Sequence, residues 1–116
     1  MIPDEASLLR LYVNGSLRWH GKPLYQAIVE RVRADGLAGA TVVRGIEGFG
    51  AHSHLHTTRI LRLSEDLPVV IELVDTAERI EAVLPILDEM VDEGMVTIET
   101  VQIVSYRASD APSSGK

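Results

Sequence analysis

The stretch Val69-Val70-Ile71-Glu72-Leu73-Val74-Asp75 decides how the rest of the chain is read. It is short, largely β-branched and apolar at every position but Glu72 until Asp75. That pattern suits a central strand with helices over one face. Downstream, Asp75 is placed to cap a helix, with Glu78 three residues on as its reciprocal partner. Ile80, Val83, Leu84, Leu87, Met90 and Val91 then recur at helical spacing as a buried stripe. Pro85 lies inside this helix and frees the carbonyl of Glu81, which predicts a kink, and Gly94 is expected to end it. Met95 to Tyr106 reads as the last strand. Its apolar phase slips from even positions (Val96, Ile98) to odd ones (Val101, Ile103), predicting a bulge near Glu99 and Thr100.

Working toward the N-terminus, Gly39 introduces a strand over Ala40-Thr41-Val42-Val43-Arg44. Residues 6–14 alternate, with Leu9, Leu11 and Val13 on one face and Arg10 and Tyr12 on the other, as a half-buried strand does. Asn14-Gly15-Ser16 breaks that strand. Pro23 suits the first turn of a helix carrying Leu24, Ala27, Ile28, Arg31 and Val32, which Asp35-Gly36 closes. Between Gly45 and Thr58 nothing recurs at a helical period, so a long mobile loop is expected there. Ile60-Leu61-Arg62-Leu63 reads as its extended flank, ended by Ser64 to Pro68. The order is β-α-β-β-α-β, an α+β ferredoxin-like plan. It has a four-stranded antiparallel sheet, two helices on one face, and a long loop between the second and third strands. One domain over residues 1–107 is expected, with 108–116 as a disordered tail lacking any apolar pattern. Apolar side chains remain for the uncovered sheet face, which points to packing between sheets of neighbouring subunits.

Composition narrows the function classes. The 116 residues carry 11 Lys and Arg against 17 Asp and Glu, a formal charge of −6, which argues against nucleic acid as a partner. Aromatic residues are 4% of the chain, too few for a platform that stacks nucleic-acid bases. With no cysteine there is no disulfide, thiolate metal site or cysteine nucleophile. The acidic start Met1-Ile2-Pro3-Asp4-Glu5 and the lack of a long apolar run lead to the expectation of a soluble, cytoplasmic protein. No Gly-x-Ser-x-Gly elbow occurs, and Glu65 with Asp66 and Asp88 with Glu89 read as turn and helix-face charges, so no enzyme is expected.

The chemistry concentrates in the loop. Gly45, Gly48 and Gly50 permit close approach of peptide N–H groups to a ligand, and Arg44, Arg59 and Arg62 flank them as partners for phosphate or carboxylate oxygens. The glycines serve equally well as hinges. His52, His54 and His56 alternate and would project to one side of an extended segment, where three imidazoles could hold zinc, nickel or copper. Exposed loop histidines or anion contacts are the other readings of the same pattern. His20 with Arg18 and Lys22, just before the first helix, forms either an anion site at its N-terminus or a solvated basic turn.

Gly39 to Gly50, with Gly39-Ala-Thr41-Val42 leading to Gly48-Phe49-Gly50, resembles the PII signalling proteins, in which such a strand runs into the base of a long T-loop. Together with His20-Gly-Lys-Pro-Leu-Tyr25, Ser64-Glu-Asp-Leu-Pro68 and Ile71-Glu72, the chain over about residues 6–107 looks like the PII-like family catalogued as domain of unknown function 190. The resemblance implies a homotrimer with a small anionic ligand, usually an adenine nucleotide in PII proteins, in each cleft between subunits. It implies a T-loop that reports occupancy to a partner. Carried across, Gly48, Phe49 and Gly50 form the loop base, and His52 takes the place of a ligand-contacting glutamine. Arg44, Gly45, His56 and Arg59 complete the expected ligand set. Five residues separate Val42 from Gly48 where PII proteins have four. The place of the PII phosphate loop reads Val91-Asp-Glu-Gly-Met95, acidic and short. Relatives that stand beside, or are fused to, fluoride-exporter-type membrane proteins make a membrane transport protein the implied partner.

Overall fold

The computed structural model describes residues 5–48, 56–57 and 67–107. Its main sheet is built from β1 (Glu5–Asn14), β4 (Gly39–Arg44), β7 (Pro68–Asp75) and β8 (Met95–Gln102). Two short pairs accompany it: β2 (Arg18–Trp19) with β3 (Lys22–Pro23), and β5 (Glu47–Gly48) with β6 (His56–Thr57). The helices are α1 (Leu24–Ala34) and α2 (Ala77–Met90). Strand order is β4-β7-β1-β8, with every neighbouring pair antiparallel, so the apolar 69–74 stretch is central as its sequence requires. The sheet and its two helices form the expected α+β, ferredoxin-like fold.

The alternation in β1 sends Leu9, Leu11 and Val13 to the helix side, where they meet Val69, Ile71 and Leu73 of β7. Leu24, Ala27, Ile28 and Val32 of α1 and Ile80, Val83, Leu87 and Met90 of α2 close over them. The C-terminus of α1 follows from local chemistry. Gly36, at φ +85°, lets its own N–H bond the carbonyl of Arg33 while the N–H of Leu37 bonds that of Val32. These are the two bonds of a Schellman closure, and Leu37 packs on the core beside it.

Sequence expectations change at α2 and β8. The cap of α2 is Thr76, whose Oγ1 accepts from the N–H of Arg79, rather than Asp75. Asp75 still belongs to β7, opposite Ser7, and is buried, accepting from the N–H of Ala38 at 2.9 Å and that of Thr76 at 2.6 Å. The helix ends at Met90, short of Gly94, because Val91 is already extended at φ −115° and ψ 113°. Pro85 lies inside it, as its sequence position requires. The bulge is absent: β8 pairs with β1 in unbroken register from Glu5↔Gln102 to Tyr12↔Met95. As an edge strand covered fully on neither side, β8 carries Val96 and Ile98 on the helix side and Val101 on the other, so the phase slip needs no bulge. The strand also stops at Gln102, and Val104 beyond it is 91% exposed. The Ile60–Leu63 flank and the 108–116 tail lie outside the described residues.

The face away from the helices is banded. Thr41, Glu72, Arg10 and Thr97 are successive partners across the four strands and make one polar row. Beside it runs the apolar row Val43, Val70, Tyr12 and Met95. Arg10 joins the strands, its Nε 3.0 Å from Glu72 and its Nη1 3.1 Å from Glu99.

Two substitutions test this packing. Asp75→Ala leaves the N–H groups of Ala38 and Thr76 without their acceptor and is expected to lower unfolding stability by roughly 1–3 kcal/mol in urea titration. Gly94→Ala places a Cβ 2.9 Å from the Tyr12 carbonyl oxygen and Val13 Cγ1, with a loss of about the same size.

Candidate functional site

The end of β4 is fixed from two directions. Arg44 pairs with Val69 and so points to the helix side of the sheet, where the first turn of α1 supplies Tyr25. The Arg44 guanidinium lies over the Tyr25 ring, with Cζ 5.6 Å from its centroid, and Nη2 is 3.3 Å from the phenolic oxygen. A cation over a tyrosine face is held by the ring quadrupole as well as by the hydroxyl. The next residue, Gly45, donates its N–H to the Pro68 carbonyl at 2.7 Å. A Cβ on Gly45 would sit 2.9 Å from Pro68 Cγ. Gly45 is therefore required by close contact between the outgoing and returning ends of the 45–67 segment. Beyond it, Glu47 pairs with Thr57 and Gly48 with His56. The segment expected as a long mobile loop thus begins as a two-stranded neck.

Four of the expected ligand residues fall on this neck: Arg44, Gly45, Gly48 and His56, the last two directly opposite each other. Phe49, Gly50, His52 and Arg59 lie outside the described residues, as does His54, the third member of the expected metal set with His52 and His56. Among the described residues no three His, Asp or Glu side chains come together as a metal site would need. The 91–95 turn is packed at Gly94 directly against Tyr12 and Val13. The neck thus brings the Arg44 guanidinium and peptide groups beside the backbone positions of Glu47 and His56.

The basic cluster before α1 is a second feature. His20 and Gly21 turn the β2–β3 hairpin with φ of +49° and +87°, the positive values a two-residue hairpin turn demands. The His20 ring lies flat on Trp19, centroids 4.4 Å apart and planes 10° from parallel. Arg18 Nη2 donates to the Gly21 carbonyl at 2.8 Å, and Lys22 Nζ lies 2.7 Å from Glu30. The hydrogen bonds from Lys22 and then Gln26 hold the Glu30 carboxyl below its ordinary pKa. The N–H of Leu24, at the start of α1, is taken by the Leu17 carbonyl. Arg18 and Lys22 are thus engaged in holding the hairpin.

Sequence reasoning assigned no role to Tyr25 or Pro68, although both lie in stretches that carry the family resemblance. Nothing local connects either to the loop; only the fold brings them to Arg44 and Gly45. Gly45→Ala is expected to lower the melting temperature, with a cost of roughly 1–3 kcal/mol from overpacking against Pro68, as thermal unfolding would register.

The comparisons agree with this architecture. A UPF0166 protein of Aquifex aeolicus is 34% identical over 100 residues, covering 86% of this chain and 94% of its own length. A UPF0166 protein of Methanocaldococcus jannaschii is 37% identical over 95 residues, covering 81% and 87%. Among solved structures, a PII-like signaling protein of Thermus thermophilus superposes with a TM-score of 0.65 at 19% identity, covering 90% of this chain and 94% of that one. CPII, a nitrogen regulatory PII-like protein of Thiomonas intermedia K12 bound to ADP, AMP and bicarbonate, superposes at 0.63 with 16% identity, covering 85% and 94%. At those identities the two structures establish a shared fold. The family model described as DUF190, Uncharacterized ACR, matches residues 6–103, and the chain belongs to that family.

Proposed function

We propose that this chain is the subunit of a homotrimeric, non-catalytic sensor of the PII-like kind. It binds a small anionic metabolite, an adenine nucleotide before others, in clefts between subunits. It reports occupancy through the 45–67 segment to a partner, with a membrane transport protein as the class the family resemblance favours. The observation that carries this reading is the neck. Arg44 is held at the end of an edge strand by Tyr25, Gly45 is locked to Pro68, and Gly48 faces His56. A ligand seated there touches the two strands through which the segment leaves and returns. Binding then biases one arrangement of that segment over another, provided the ligand favours one of them. Arg44, Gly45, Gly48, Phe49, Gly50, His52, His56 and Arg59 form the proposed ligand set. A guanidinium with peptide N–H groups suits phosphate oxygens. The similar fold of CPII with bound ADP, AMP and bicarbonate supports an anion of this class.

Trimer formation is proposed through the banded sheet face. Its row of Val43, Val70, Tyr12 and Met95 offers apolar surface, and the Arg10 cluster beside it offers directional partners. No helix among the described residues is long and apolar enough to cross a membrane.

Isothermal titration with ATP, ADP, AMP and cyclic AMP, alongside light scattering for the mass, tests the reading. Saturable binding at one site per subunit of a trimer is expected. Gly48→Val should abolish the heat of binding while the trimer mass is kept, and Arg44→Gln should weaken binding at least tenfold. Silence from all four nucleotides would confine the PII likeness to the scaffold.

A further inference from the structure

The hairpin before α1, the Ala27–Arg31 part of α1 and the last residue of α2 border an open depression of about 390 Å³, at the small end of the range for ligand sites. Trp19, His20, Lys22, Glu30, Arg31 and Met90 line it. Three features of this place are unlike the rest of the surface. The only tryptophan of the chain is here, and an exposed imidazole is laid flat upon it. That imidazole belongs to the one described non-glycine residue with positive φ, a conformation uncommon for a side-chain-bearing residue. Two cations line the depression against one carboxylate, in a chain whose net charge is −6. Lys22 is committed to Glu30 at 2.7 Å. Arg31 approaches Asp35 only through Nε, at 3.6 Å and half-exposed, and its Nη atoms make no hydrogen bond among the described residues.

We propose that this depression is a second ligand site, for a small planar aromatic anion whose ring lies on the His20–Trp19 stack and whose acidic group is taken by Arg31. The stack selects a flat ring, because parallel aromatic faces gain from offset stacking beyond simple burial. The planar fork of Arg31 suits a carboxylate, which it can engage through two N–H groups. Lys22, tied to Glu30, sets the rim, and Met90 supplies a deformable apolar floor. The site lies on a different element from the neck and stands whether or not the neck binds a nucleotide.

The sole tryptophan gives a direct readout, since its indole N–H yields one identifiable cross-peak in a ¹H–¹⁵N spectrum. Nicotinate, an aromatic ring with a carboxylate, is the probe. Nicotinamide keeps the ring without the charge, and cyclohexanecarboxylate keeps the charge without the flat ring. A saturable shift of the Trp19 indole signal with nicotinate is expected, half-complete on the order of 1 mM as befits an open site. Nicotinamide and cyclohexanecarboxylate should each bind at least tenfold more weakly. Arg31→Gln should weaken nicotinate at least tenfold, whereas Gly48→Val, on the neck, should leave it unchanged. A shift that rises without saturating, equal responses to the three probes, or an unchanged response in Arg31→Gln would overturn the proposal. Loss of the response in Gly48→Val would overturn it too, by moving the ligand to the neck.

Discussion

The register between β1 and β7 is the constraint on which the rest of the molecule depends. Leu9 faces Leu73, Leu11 faces Ile71 and Val13 faces Val69, all buried beneath the helices. Because side chains alternate with period two, a slip of one residue would carry Arg10 or Glu72 into that core and bring the leucines out. Each of these side chains gains about 1.5–3 kcal/mol from burial, so the correct register is favoured many times over. With the two central strands fixed, β4 and β8 can only be edges, and the helices can close over only one face. Asp75 then ties the end of β7 to the turn that follows α1, through the N–H of Ala38.

That frame explains where the neck stands. It grows from β4, an edge strand whose residues are all exposed, and is held on one side by α1 through Tyr25 and on the other by β7 through Pro68. A rigid strand pair thus delivers both ends of the 45–67 segment to one point. The same edge position leaves this end of β4 exposed, as the proposed site between subunits requires. The basic hairpin before α1 sits elsewhere, and its charges are largely spent on holding its own shape.

The banded face has a different energetic character. The Arg10 cluster is 34–55% exposed, so in the single subunit it is screened by water and contributes little. Any surface that covered it would raise the stakes, since a buried guanidinium shared by two carboxylates must keep all of its partners. The polar row therefore favours particular alignments of a covering sheet, whereas the apolar row beside it favours contact of any kind.

How much was legible follows the range of each interaction. Strand and helix identities came from periodicities within ten or fifteen residues, as in 69–74 and the 80–91 stripe, and the close of α1 at Asp35-Gly36 from a turn signal. The cap of α2 was misplaced by one residue, because Asp75 and Thr76 are both good caps and only the pairing of Asp75 with Ser7 keeps it in the strand. The bulge in β8 was inferred from an apolar phase that assumes one buried face, an assumption that fails at an edge. For the site, the glycines and Arg44 could be singled out locally, but their partners could not. Tyr25 is 19 residues from Arg44, Ala38 is 37 from Asp75, and Arg10 is 62 from Glu72. From local sequence come the four main strands, the two helices, their order and the ferredoxin-like plan, because backbone propensity and apolar period are local properties; the short β2–β3 and β5–β6 pairs were not legible there. The tertiary structure alone decided that Gly45 must lack a side chain, that Arg44 rests on an aromatic ring, and that Gly48 faces His56. Each of those depends on segments distant in the chain meeting at one edge of the sheet.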